Sequence, residues 1–135
     1  MKSQFVTILA FIFSSPALAN PNQFDLICRG HIKRTKEGAT ENSVWTQRYR
    51  IDLGQKIFCT NKCGSLEDIY DSNDGRIILN QYSSSVGTSI ILIDRMSGAL
   101  TSILAVNAPN GKEKLFESVK ATCQAARFSG IPRKF

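Results

Sequence analysis

The sequence predicts an all-β fold, a small antiparallel barrel or sandwich of about seven to eight strands that disulfides tie together. Three observations carry this prediction. Apolar and polar residues alternate along several segments with the period of two that is typical of half-buried strands. Turn-forming residues separate these segments, and the chain has four cysteines behind an N-terminal stretch typical of exported proteins.

Residues 1–19 have the features of a secretory signal peptide. Lys2 provides a positive charge, residues 5–13 form an apolar core, and Ala17-Leu18-Ala19 is a small-x-small cleavage signature. We therefore expect these residues to be removed, which leaves a single β domain over residues 20–135 in a periplasmic or secreted location.

The expected mature chain carries no anchoring segment in its sequence. The apolar part of the signal is too short to span a bilayer, and no later run of about eighteen or more apolar residues occurs. Asn20, the first expected mature residue, is not the cysteine that a lipoprotein needs. The sequence thus predicts no transmembrane segment once the signal peptide is removed.

The first half of the mature chain predicts three strands. Residues 24–32 and 43–53 both alternate apolar and polar side chains, whose apolar positions a helix would scatter around its circumference. The polar residues 35–42 between them predict a surface loop. Gly54-Gln55 predicts a short turn into residues 56–59, so we expect the second and third strands to form a hairpin.

The second half of the chain predicts four strands in two hairpins, which cover residues 66–70, 76–82, 88–94 and 99–106. In the first hairpin, Asp74-Gly75 is a strong signal for a tight turn. In the second, Gly98 is a candidate for the left-handed backbone conformation. A serine-rich loop over residues 81–87 is expected to join the two hairpins.

Residues 112–128 fit two patterns. One set of apolar positions suits a helical stripe, and the amino-acid propensities favour a helix. Alternate positions such as Val119, Ala121 and Cys123 suit a strand whose other face is polar. We expect a strand over residues 118–124, because it would cover an open sheet edge and place a cysteine beside the first strand.

The four cysteines predict two disulfides, although four cysteines allow three pairings. Only three residues separate Cys59 from Cys63, so a turn can bring them within bridging distance. Cys28 then pairs with Cys123, which joins the first strand to the last. The long crosslink is worth about 4–5 kcal/mol in the chain-entropy model, and we expect it to matter more for stability than the short one.

Seventeen basic and eleven acidic residues give the full chain a formal net charge of +6. Removal of the signal peptide takes away Lys2 and so lowers this charge by one. A positive surface favours anionic partners, such as an anionic envelope component or an acidic protein. The export signal and the absence of a dense basic run interleaved with aromatic residues argue against nucleic acid. The sequence contains no cofactor-binding motif.

Three basic residues form the best candidate for an anion-binding site. Arg48 and Arg50 share one face of the second strand, about 7 Å apart along it, and Lys56 lies across the predicted hairpin. Two guanidinium groups at this spacing could bind a phosphate or a carboxylate. An ordinary solvated face is the alternative, because a cross-strand carboxylate such as Asp68 would neutralise the patch.

His31 is the only histidine, and it could serve a small hydrolase together with one of the serines at positions 83–85. No Gly-x-Ser-x-Gly sequence positions any of these serines. A zinc site is the other alternative, but Cys59 and Cys63 lack the second close cysteine pair of the usual ligand sets. The sequence therefore predicts no catalytic residues and no bound metal.

Four motifs carry a resemblance to known proteins: Phe24-x-Leu26-x-Cys28-x-Gly30, Arg50-x-Asp52-Leu53, Cys59 with Cys63, and Ile93-Asp94-Arg95-x-Ser97-Gly98. With them the chain resembles a family of small exported bacterial all-β proteins whose activity is uncharacterised. The resemblance covers nearly all of the mature chain, and its motifs are strand and turn residues. It implies a secreted all-β domain and specifies no activity.

The chain is also similar, more weakly, to the periplasmic inhibitors of C-type lysozyme, small β-barrels whose first strand is disulfide-bonded to a segment near the C-terminus. In that family a Ser-Gly loop and a downstream Lys-Gly element enter the cleft of the enzyme. The resemblance implies a partner loop formed by Arg95, Met96, Ser97 and Gly98. Two features depart from the family: Gly111-Lys112 has the reverse order, and no tyrosine accompanies the serine. Lysozymes are also basic, so a basic partner would be repelled during encounter.

These observations together predict a non-enzymatic, exported binding or envelope-associated protein. An inhibitor of a cell-wall hydrolase and a small hydrolase that uses His31 are the two alternatives. None of the motifs names a ligand or a reaction.

Overall fold

The computed structural model describes residues 20–132, which form nine strands and no helix. The strands are β1 (Gln23–Lys36), β2 (Ala39–Asp52), β3 (Ile57–Thr60), β4 (Glu67–Asp68), β5 (Asp71–Ser72), β6 (Arg76–Ser84), β7 (Gly87–Asp94), β8 (Ala99–Asn107) and β9 (Glu113–Ala126). This part of the chain thus contains no helix long and apolar enough to cross a membrane. The predicted signal peptide over residues 1–19 lies outside the described residues.

All nine strands belong to one curled antiparallel sheet in the order β4-β3-β2-β1-β9-β8-β7-β6-β5. The first and last strands pair at the centre of the sheet, and the two edge strands, β4 and β5, follow one another in the chain. Seven of the strands have four residues or more. The predicted small disulfide-tied all-β fold is therefore confirmed.

A two-residue linker draws the two edges of the sheet together. The amide of Ile69 donates a hydrogen bond to the carbonyl oxygen of Lys56 over 2.9 Å, and the amide of Tyr70 donates to that of Leu79 over 3.4 Å. A bulge between Ile78 and Asn80 bends β6 at this point. The buried side chain of Ile69 completes the interior where the edges meet.

The hydrophobic core lies on the inner face of the curl. Leu26 in β1 lies directly opposite Tyr49 in β2, so both point to the same face, and Cys28 and Ile51 continue that face along the two strands. The buried core residues are Leu26, Cys28, Tyr49, Ile51, Phe58, Ile69, Ile77, Leu79, Ile93, Leu100, Val119 and Cys123. Each large aliphatic side chain in this set stabilises the fold by about 1.5–3 kcal/mol relative to an exposed one.

The sheet has a closed half and an open half. The open half comprises residues 30–36, 39–45, 81–90, 102–107 and 113–118, and among them only Gly87 is buried. The closed half is the rest of the sheet and contains the core, β3 and the edge strands. Gly30 lies at the boundary between the two halves. A Cβ atom at this position would collide with the backbone of Lys120 and Ala121 in β9. Strands β1 and β9 therefore approach more closely at this point than any side chain would allow.

Two predicted loops are wrong, because the strands extend into them. Strands β1 and β2 pair up to Lys36 and Ala39, so only Glu37 and Gly38 remain of the loop over residues 35–42. Both have positive φ, 51° and 80°, as a two-residue hairpin turn requires. The serine-rich segment 81–87 likewise continues β6 and β7. Once a long hairpin has a fixed register, polar residues continue the strand pairing even where neither face of the strands is buried.

The last segment is a strand, as expected, but β9 runs over Glu113–Ala126 and is longer than residues 118–124. It brings Cys123 directly opposite Cys28 with a Cα–Cα distance of 4.0 Å, and these two cysteines form a disulfide. Cys59 and Cys63 form the second disulfide. Two disulfides indicate an oxidising compartment outside the cytoplasm.

Candidate functional site

A cavity of about 750 Å³ opens at the end of the closed half. Its volume is within the range of sites that bind small molecules. Apolar side chains line most of its wall, namely Phe24, Leu26, Ile77, Ile93 and Phe128. We call this space the end cavity.

The sheet register places these apolar side chains together. Phe24 and Leu26 are inward positions of β1, two residues apart. Ile77 in β6 and Ile93 in β7 are directly opposite each other. Phe128 follows β9, in the segment that leaves the sheet after Ala126. Widely separated parts of the sequence thus form one apolar wall.

Charged groups stand at the rim of the end cavity: Asp94, Arg95 and Arg127. The Arg95 guanidinium donates one hydrogen bond through Nη1 to the carbonyl oxygen of Asn73, over 2.8 Å. Arg127 is exposed and makes no hydrogen bond or ion pair within residues 20–132. The rim therefore offers two cationic groups, of which Arg127 is the less constrained.

The Asp94 carboxylate accepts hydrogen bonds from the turn that follows it, between β7 and β8. Its Oδ1 accepts hydrogen bonds from the amides of Met96 at 2.8 Å and Ser97 at 3.1 Å. These bonds, that of Ser97 first, lower the pKa of the Asp94 carboxyl group below its usual value. Asp94 thus shapes the turn through Oδ1, and the lowered pKa favours its ionised form at the rim.

The predicted partner loop, Arg95 to Gly98, is this same turn between β7 and β8. Gly98 has a φ of 76°, and a Cβ atom there would collide with the carbonyl oxygen of Cys123. Glycine is therefore required, as the sequence indicated. Arg95 and Gly98 line the end cavity, whereas Met96 is 88% exposed at the tip of the turn.

The predicted anion site is separate from the end cavity. The Arg48 Nε donates to Oδ2 of Asp25 over 2.7 Å, and Asp25 is fully buried. The Arg50 Nη1 donates to the carbonyl oxygen of Gly130 over 3.0 Å. Lys56 lies exposed in the turn before β3. Both arginines have partners within the fold, and anion binding by this trio stays a prediction.

Asp25 and the two arginines hold the segment after β9 against the outer face of the sheet. Ser129 donates to Asp25 through its hydroxyl at 2.6 Å and through its amide at 3.2 Å. Together with the Arg50–Gly130 contact, these bonds fix the residues next to Arg127 and Phe128. The buried polar cluster thereby positions one wall and one charge of the end cavity.

His31 lies exposed on the outer face of β1, opposite Val44 in β2 and Lys120 in β9. Serines 83–85 lie at the far end of β6 and in the turn after it. Among residues 20–132, no hydrogen bond joins His31 to a serine or a carboxylate, and no cluster of three or more possible metal ligands occurs. The structure therefore does not bring together the groups that the hydrolase and zinc alternatives need.

Sequence reasoning missed most of the end cavity. The inward parity of Phe24 and Leu26 was visible, but their meeting with Ile77 and Ile93 depends on the curl of the whole sheet. Arg127 and Phe128 had no local signal, since their placement depends on contacts with Asp25 more than a hundred residues earlier in the chain.

Comparison of the chain with models of known protein families, with curated proteins and with solved structures found no significant match.

Proposed function

We propose that the protein is an exported, non-enzymatic binding protein whose end cavity takes up a small amphipathic anion. The apolar part of the ligand would lie between Phe24, Ile77 and Phe128, and its carboxylate, sulfonate or phosphate would lie beside Arg127 and Arg95. The single observation that carries the proposal is an apolar cavity of ligand size with two guanidinium groups at its rim.

The chemistry of the cavity supports an anionic rather than a neutral ligand. Asp94 is the one carboxylate among the described residues that line the cavity, and two arginines outnumber it there. Guanidinium groups bind carboxylates and phosphates through paired hydrogen bonds. A predominantly apolar wall favours an alkyl or aromatic body over a sugar.

Export is supported by independent features. Residues 1–19 have the charge, apolar core and cleavage signature of a signal peptide. The two disulfides indicate an oxidising compartment outside the cytoplasm. A periplasmic or secreted location follows as part of the proposal, and mass spectrometry of protein recovered from outside the cytoplasm should find Asn20 as its first residue.

The binding proposal is tested with two probes, laurate by calorimetry and the aromatic sulfonate 1-anilinonaphthalene-8-sulfonate by fluorescence. We expect both to bind the mature protein at one site. Arg127→Gln should weaken binding about tenfold, because it removes one charge-assisted contact worth roughly 1.4 kcal/mol. Arg76→Gln is the matched control, since Arg76 is exposed on β6 and does not line the end cavity.

A variant that fills the end cavity distinguishes probe binding inside the cavity from binding to other apolar surfaces. Ala125 lines the end cavity, and Ala125→Phe should exclude both probes while the thermal midpoint stays near that of the wild type. Probe binding that survives Ala125→Phe, or that falls equally in Arg127→Gln and Arg76→Gln, would contradict the proposal. So would a wild-type protein that binds neither probe.

The second candidate function is inhibition of a cell-wall hydrolase, as the resemblance to lysozyme inhibitors implies. One observation favours it: the turn from Asp94 to Gly98 is fixed by its own hydrogen bonds and presents Met96 almost fully to solvent. An exposed apolar residue on a rigid turn is a suitable anchor for the cleft of a partner.

This candidate predicts that the wild-type protein slows lysis of cell walls by a C-type lysozyme and that Met96→Asp does not. Val86→Asp is the control, because Val86 is also an exposed apolar turn residue, 61% exposed, in the open half. Lysis that proceeds unchanged with excess wild-type protein would eliminate the inhibitor function.

A further inference from the structure

A row of basic side chains runs along the outer face of the sheet, away from the end cavity. Arg29, His31 and Lys33 occupy alternate positions of β1, so all three point outward. Lys120 of β9 is directly opposite His31. All four are exposed. We call this set the basic row.

No exposed carboxylate balances the basic row. The outward positions of β1, β2 and β9 in the described chain include only two acidic residues, Asp25 and Asp52, and both are buried. Asp25 is bonded to Arg48 and Ser129, while Asp52 accepts from Gln23 and Gln55. The outward neighbours of the row are uncharged, namely Asn42, Val44, Thr46, Ser118 and Thr122.

An open groove of about 810 Å³ follows the same face between β1 and β2. Arg29 and His31 form one side of it, and Thr46 and Arg48 form the other. Asn61, from the turn that the Cys59–Cys63 disulfide closes, stands at the groove and bonds the amide of Arg48. Two residues of the basic row, Arg29 and His31, therefore line this groove, and Lys33 and Lys120 continue the row beyond it.

We infer that the basic row binds a linear acidic polysaccharide that lies along β1. Basic groups at alternate strand positions repeat about every 7 Å, which provides a line of contacts for a chain of repeated anionic groups. The neighbouring hydroxyl and amide side chains can bond to sugar hydroxyls. A flat anionic membrane fits less well, because the basic groups follow β1 and, among the described residues, Val44 is the only large apolar side chain beside them that is exposed. This inference is independent of the end cavity.

The probe is immobilised heparin, a sulfated linear polysaccharide, with elution by increasing salt. We compare the wild type with Arg29→Gln/Lys33→Gln/Lys120→Gln. The matched control is Lys36→Gln/Arg76→Gln/Lys112→Gln, which removes the same charge from exposed positions outside the basic row. We expect the row variant to elute at about half the salt concentration of the wild type, whereas the control shifts only slightly.

The outcomes decide between a specific face and general charge. Equal shifts in the two triple variants would show that only net charge matters, and this would overturn the inference, as would failure of the wild type to bind heparin. Stronger binding to phosphatidylglycerol vesicles than to heparin, lost in the row variant, would assign the face to membranes instead. The double variant Lys33→Gln/Lys120→Gln repeats the test should the triple variant unfold.

Discussion

The closed and open halves of the sheet share the same strands but differ in what covers them. Strand β1 passes through both, and its first half contributes Leu26 and Cys28 to the core, whereas no residue from Arg29 to Lys36 is buried. The same change occurs along β2 between its exposed start and Ile51. Hydrogen bonding between strands is continuous across both halves, so pairing alone does not distinguish them.

The two halves differ because other elements of the fold contact only the closed half. In the closed half, β3 pairs with β2, the linker at Ile69 bonds to Lys56 in the turn before β3, and the segment around Ser129 bonds to Asp25 of β1. None of these reaches the open half, where the β1–β2 hairpin is held by its own ladder, by the pairing of β1 with β9 and by the Arg34–Glu117 ion pair. The comparison indicates that stability and the end cavity belong to the closed half, while the open half extends the outer face that carries Lys33.

The largest expected effect comes from the disulfide beside the core. Replacing Cys28 and Cys123 by alanine should lower the free energy of unfolding by about 4 kcal/mol, because the crosslink closes a long loop with a sequence separation of 95. The Cys59→Ala/Cys63→Ala variant is the control, since its disulfide spans a separation of only 4 and should contribute much less. Urea unfolding of both variants measures the difference. Similar losses of unfolding free energy in the two variants would mean that the Cys28–Cys123 disulfide is not the main covalent contribution to the stability of the closed half.

The second effect contrasts a fully buried carboxylate with a partly exposed one. Asp25→Ala should cost about 3 kcal/mol, because Asp25 is fully buried and both Arg48 and Ser129 lose their acceptor. Glu117→Ala removes the Arg34–Glu117 pair of the open half, in which the Glu117 side chain is 21% exposed, and should cost less than about 1 kcal/mol. Equal thermal shifts for the two variants would contradict the division into halves.

Most strands were predictable because alternation is a local signal. Tyr49 and Ile51 share a face in the sequence pattern and do so in the core. The single strand expected over residues 66–70 is wrong: the chain forms two short strands, β4 and β5, on either side of Ile69 and Tyr70, and it is β5 that pairs with β6. The loops were not predictable in the same way, since residues 40–42 are polar on both faces and pair with β1 only because the hairpin register continues through them. The alternation of apolar and polar residues therefore predicts strands that are buried on one face, and it does not detect strands that are exposed on both faces.

The site was predictable only in parts. The requirement for glycine at position 98 and the basic alternation of Arg29, His31 and Lys33 are visible in the sequence. The role of Asp25 was not, because its partner Ser129 is separated from it by 104 positions. Arg48 and Arg50 were correctly placed on one face, but their internal partners come from segments that no local pattern connects.

The smallest expected effect concerns Tyr49, which lies in the core of the closed half. Burial, and secondly the nearby charge of Glu67, raises the pKa of Tyr49 from 10.0 to about 12. Between these two values the unfolded chain loses the phenolic proton while the folded protein keeps it. The unfolded state then binds fewer protons, so stability falls as pH rises through this window.

At about pH 11 this linkage should remove about 1 kcal/mol of the free energy of unfolding. Tyr49→Phe cannot release that proton, so its stability should fall less between neutral pH and pH of about 11. Tyr82→Phe is the control, because Tyr82 is exposed in the open half. Thermal midpoints measured across this range would locate the effect. An equally steep decline in Tyr49→Phe and in the wild type would mean that alkaline unfolding begins elsewhere, and the core of the closed half would not be its origin.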